Sequence, residues 1–286
     1  LTGSQIAVLS TAQTFALTTA QIRALSNSQI SSLTAEQVAN LEDTQITAIS
    51  VGGAGAITSD QIRAFSTGQF VALTTSQVAA LKDIQIAALE TVDLAKLTTD
   101  QVQALTTAQV AAMTTAQVVA LSTDQVAALK TAQLVALTTA QVSALTTNEV
   151  SKLTTAQIAA IETADLAKMT SEAIAGLTTA QITALNTAQV LALTTEQVAA
   201  ITTADMDVMT ANQIQAFSSD QLAALSLDQI ALLKPADLGK LTPTSVANMT
   251  LSQVAKLSTA QIQALTTAQA AALTSAQLAE LTTAQF

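Results

Sequence analysis

Leu105–Ala112 reads LTTAQVAA, and the same eight-residue pattern recurs in both directions without an insertion. With Leu1 as position a of an octad lettered a to h, position a is Leu, Ile, Met or Phe in all 36 occurrences up to Leu281. The 286 residues form 35 octads and the first six residues of another. A short, fixed period of this kind marks a solenoid or fibre in which each unit touches its neighbours. The expected organisation is one continuous array over residues 1–286. It begins without Met and stops in mid-octad, as a stretch of a longer array would.

Position b is Thr, Ser or Asn in 30 of 36 octads, and position e is Gln in 28 of 36. Thr at b with Gln at e is a capping box: the hydroxyl accepts from the N3 amide, and the glutamine reaches back to the N-cap amide. The same frame places Leu at N′ and Val or Ile at N4, the two halves of a hydrophobic staple. Position f is aliphatic or aromatic except at Thr14, Ala54 and Ala270. Pro235 and Pro243 both fall at c, the first helical position, where a missing N–H costs nothing. Asp60, Asp100, Asp124, Asp220 and Asp228 fall at d in the first turn. Lys96, Lys152, Lys168, Lys240 and Lys256 fall at h near the other end. Both placements suit the helix dipole.

These signals predict an all-α solenoid with one short capped helix over c to h of every octad. A continuous helix fails, because eight residues rotate about 800° and an apolar stripe would drift about 80° per octad. A β-solenoid is the alternative that Thr, Val and Ile would allow. Abundant Ala and Gln, the absence of two-residue alternation, and corners without Gly or Asn all speak against it. One octad cannot fold alone. Its Leu and Val contribute roughly 3–6 kcal/mol on burial, against about 8–16 kcal/mol for ordering eight backbones. Octads must therefore stack, with a and f in the core and the polar residues at g (Arg23, Arg63, Gln103, Asp207, Gln215, Gln263) in solvent. Ala at d, g and h is expected to allow close helix approach.

Two groups of octads depart from the pattern. Ile49–Ala56 (ISVGGAGA) gains Gly52, Gly53 and Gly55 and is expected to be a loop in phase with the solenoid. Four octads carry Asp at e: LETVDLAK (Asp93), IETADLAK (Asp165), ITTADMDV (Asp205) and LKPADLGK (Asp237). The pairs Glu90/Asp93 and Glu162/Asp165 could suggest a cation site. Calcium usually needs six or more oxygens, so acid at a helix start is the simpler reading.

Ten basic against 20 acidic residues give a net charge of −10. Nucleic acid and anionic membrane surfaces need the opposite. Polar residues, mostly Thr and Gln, interrupt every octad, so no segment spans a bilayer. With no Cys and no His, disulfides, thiolate sites, the usual zinc sites and His-based triads are excluded. No phosphate-binding glycine loop or nucleophile elbow occurs. No catalytic, cofactor-binding or metal-binding residue is nominated, no cofactor is expected, and the chain reads as a non-enzyme.

The octads resemble the L-T/S-x-x-Q-V/I-x-A-L arrays of long, low-cysteine bacterial surface and adhesin-like proteins. That resemblance implies an extracellular or cell-surface fibre or stalk, with self-association laterally or end to end. The octad also resembles the opening helix of transcription-activator-like effector repeats. Those repeats exceed thirty residues and carry a base-reading loop that nothing here matches. Two further readings remain open: a solenoid binding a peptide or glycan, and a threonine-rich surface that binds ice or carries O-linked sugars, from Thr at c (Thr19, Thr99, Thr107, Thr115, Thr139).

Overall fold

A computed structural model describes residues 1–285. Every regular element among them is a short α-helix, 35 in all, from α1 (Gly3–Ala7) to α35 (Ser275–Ala279). No strand occurs among the described residues, which removes the β-solenoid alternative.

The helices begin where the capping box places them. In α14 (Thr107–Ala112), Thr106 is the N-cap with extended backbone (φ −75°, ψ 161°). Its Oγ1 accepts from the Gln109 amide at 3.1 Å, and Gln109 Oε1 accepts from the Thr106 amide at 2.6 Å. The helix ends because position a turns back to extended backbone, as at Met113 (φ −60°, ψ 145°). That residue then directs the chain into the next N-cap.

The chain forms two compact units, Leu1–Ala144 and a second beginning at Leu145. In the first, α10 (Thr75–Ala80) packs on α13 (Thr99–Ala104) and α13 on α16 (Thr123–Ala128). In the second, α20 (Thr155–Ala160), α23 (Thr179–Ala184), α26 (Thr203–Val208), α29 (Leu227–Leu232) and α32 (Leu251–Lys256) form one such stack. Each helix packs on the third one along, so three octads, or 24 residues, complete a turn within each unit.

Positions a and f fill the interior: Leu105 is 4% exposed and Val110 fully buried. Phe65 and Phe70 meet there with ring centroids 5.2 Å apart. Position g faces solvent as expected, including Arg23, Gln103 and Gln263. Position d is exposed as well, as at Ala108, whereas h is mostly half-buried and g is half-buried in several octads, as at Ala111 and Ala223.

Ile49–Ala56 is a helix and not a loop. Here α7 (Val51–Ala54) is capped by Ser50, whose Oγ accepts from the Gly53 amide at 3.0 Å. A Cβ on Gly55 would lie 2.7 Å from the carbonyl oxygen of Ala80 on the next turn. Gly55, the C-cap, admits a close backbone approach, and the Ser50 cap with buried Ile49 and Ala54 offsets the helix penalty of roughly 1 kcal/mol at each of Gly52 and Gly53. Three Asp octads have four-residue helices: α12 (Thr91–Leu94), α21 (Thr163–Leu166) and α30 (Pro235–Leu238). Their N-caps Glu90, Glu162 and Lys234 make no side-chain capping bond. Lys96, Lys168 and Lys240 consequently lie beyond the last helical turn, whereas Lys152 and Lys256 lie within it.

The assignment of faces is checked by denaturation. Leu105→Ala is expected to cost about 2–5 kcal/mol by leaving a cavity in a thin core. Gln103→Ala is expected to change stability by less than about 0.5 kcal/mol. Equal losses would contradict the faces described.

Candidate functional site

The recurrent polar feature is the glutamine at e. A capping role alone would leave it at the surface, yet Gln109 is 1% exposed. Its Oε1 is occupied by the N-cap amide, which turns Nε2 towards the preceding turn. There it donates to the carbonyl oxygens of Val78 at 2.9 Å and Leu81 at 2.6 Å. These acceptors lie 31 and 28 residues back, at the end of one helix and at the corner that follows it. The last carbonyls of a helix have no partner within it, and the glutamine of the next turn supplies one.

The same rung recurs along each unit. In the first, Gln37 bonds Ile6 and Leu9, Gln61 bonds Ile30 and Leu33, and Gln133 bonds Val102 and Leu105. In the second, Gln181 bonds Val150 and Leu153, and Gln269 bonds Leu238 and Leu241. Each glutamine thus ties a helix start to a helix end one turn away.

Reading the sequence for caps alone missed this role, although a signal was present. Glu42, Lys82 and Lys130 occupy b and form no side-chain cap, yet Gln45, Gln85 and Gln133 remain at e. Each still accepts from the N-cap amide and donates to the previous turn. A glutamine that persists after its capping partner has gone has a second task.

Within each acidic pair the two carboxylates differ in exposure. Asp93 is buried and accepts from Thr67 Oγ1 at 2.7 Å, while Glu90 is exposed. Asp165 is buried and Glu162 exposed. Among the described residues no three acidic side chains converge as a metal ion would require. Glu196 is held below the usual carboxylate range, first by its own backbone amide and then by the hydroxyls of Thr194 and Thr195. In the first turn an open hollow of about 260 Å³ is lined by Leu1, Ile6, Leu17 and Gln21 among others. No helix among the described residues is long and apolar enough to cross a membrane.

The model of the ALTTAQ repeat matches residues 15–51, 55–83, 86–123, 119–155, 158–195, 198–235, 230–267 and 246–283. The chain belongs to the ALTTAQ repeat family. Its six letters fall on positions h to e, as in Ala104–Gln109: the corner, the cap and the glutamine rung. No curated protein matches this ALTTAQ array.

The rung is measurable against the cap. Thr106→Ala is expected to cost about 1 kcal/mol. Gln109→Ala is expected to cost roughly 2–4 kcal/mol, because it leaves the Thr106 amide and the Leu81 carbonyl without partners and leaves the Val78 carbonyl only its bond from the Leu81 amide. Gln109→Glu keeps the capping acceptor but removes the donor, so it should not restore stability. Equal losses for Thr106→Ala and Gln109→Ala in chemical denaturation would reduce the glutamine to a cap.

Proposed function

We propose that this ALTTAQ array is a non-enzymatic structural element, a stalk or fibre on the cell surface or outside the cell, which associates with further copies of itself. The observation that carries this reading is the glutamine rung. It serves the scaffold, as do the capping hydroxyl and the apolar pair at a and f. Each added octad finds the same partners 28 and 31 residues back, so the architecture extends by repetition without a size at which it closes. The resemblance to bacterial surface and adhesin-like arrays supplies the location. Electron microscopy and labelling of intact cells test both parts. Elongated or filamentous species displayed outside the cell are expected. Compact monomeric particles confined to the interior would overturn the reading.

A second reading draws on the exposed threonines at c. Thr155, Thr179 and Thr203 occupy the first positions of the stacked helices α20, α23 and α26 and lie open to solvent. A column of hydroxyls at a fixed repeat suits an ordered water lattice or attached sugars. Thermal hysteresis of the purified protein, or a mass above that of the bare chain, is the expected sign. A bare mass without hysteresis would exclude both.

A further inference from the structure

We infer that the second unit has a built-in weak seam, between the turn Ile201–Ala224 and the turn Leu225–Asn248, at which it opens before the turns around it. The e residues of the later turn are Gln229, Asp237 and Ser245. Gln229 makes the usual rung to Val198 and Ile201 at 3.1 and 2.7 Å. Asp237 occupies the next corner, 7% exposed, opposite Met206 and Met209, which stand 31 and 28 residues back. A carboxylate has no N–H to offer their carbonyls. Ser245 takes the third corner. Its hydroxyl is engaged with Thr242 Oγ1 at 2.8 Å, and its side chain is two carbons shorter than a glutamine's. Gln253 restores the ladder, bonding Leu222 and Leu225.

Two consecutive corners of one turn therefore lack rungs. A gap lined by Met206, Met209, Leu233 and Asp237 marks the first, and it has no room for a water molecule. A buried water cannot take over the missing donor there. The helix above this corner, α30, has only four residues, and its N-cap Lys234 provides no capping side chain. Asp165 and Ala173 also lack glutamine at consecutive corners, but three of the four positions 28 and 31 residues back from them precede the second unit. The other losses are single. Gly53, Asp93 and Asp205 each have a bonded glutamine at the corner on either side. Asp93 is also tied to the neighbouring turn through Thr67 Oγ1 at 2.7 Å.

The apolar side chains across the seam stay packed, with Met206, Met209, Leu238 and Val246 all buried. The seam is closed at rest, and its weakness appears as local opening. In a repeat protein, opening free energies follow the strength of each interface between neighbours. Hydrogen exchange of the whole chain, read by mass spectrometry, tests this without any variant. Amides of Leu233–Asn248 should exchange at least tenfold faster than those of Leu185–Ala200, a stretch whose glutamines all make rungs. The double variant D237Q/S245Q should slow the seam at least tenfold and leave Leu185–Ala200 unchanged. Q189A/Q197A should bring that reference stretch to the speed of the seam. Equal exchange of the two stretches in the unaltered protein would overturn the inference. So would an unchanged seam in D237Q/S245Q with helix content intact by circular dichroism.

Discussion

A helix of four to six residues cannot satisfy its own backbone. Four N–H groups at one end and four C=O groups at the other lack partners in any helix, and here they make up most of the chain's polar backbone. The fold depends on the glutamine at e because that one side chain answers both ends. Its oxygen takes an N-cap amide, and its nitrogen serves a helix end and a corner on the previous turn. A buried primary amide suits the place, since it carries an acceptor and two donors with no charge to desolvate.

The same requirement accounts for the unbroken period. The cap fixes a separation of three residues from b to e, and the rung fixes a separation of 28 from e back to the corner beneath it. One inserted residue would move every later glutamine in that turn away from its carbonyls. It would also turn the a and f side chains from the interior. An ordinary α-solenoid absorbs insertions in its loops. Here the corner is only about two residues long, and no loop is available to absorb one.

Much of this was legible locally. The helix start at c, the N-cap at b, the buried a and f and the solvent-facing g follow from spacing within one octad, and Leu105, Thr106 and Gln103 stand where that spacing places them. What was not legible depends on the neighbouring turn. Nothing within an octad reveals that three octads close a turn, so the second task of Gln109 was hidden. For the same reason Gly55 read as a helix breaker: the Ala80 carbonyl that excludes a side chain lies 25 residues away. The exposure of d follows likewise. With three helices per turn the contacts between turns run through e, g and h, and Ala108 is left facing water.

This division of labour also indicates where specificity can reside. Positions a, b, e and f build and lock the turn, and their residue choice is narrow. Positions c, d and g project outwards, and there the octads differ: Arg63 and Asp60 pair at 2.9 Å on one helix, Gln103 and Asp100 stand on another, and Leu227 and Leu251 take the place of Thr on two stacked helices. An exposed ion pair of this kind adds little to stability, so such residues are free to vary without loosening the scaffold. A partner that distinguishes one turn from the next has to read these positions, since the locking residues beneath them look nearly alike from octad to octad.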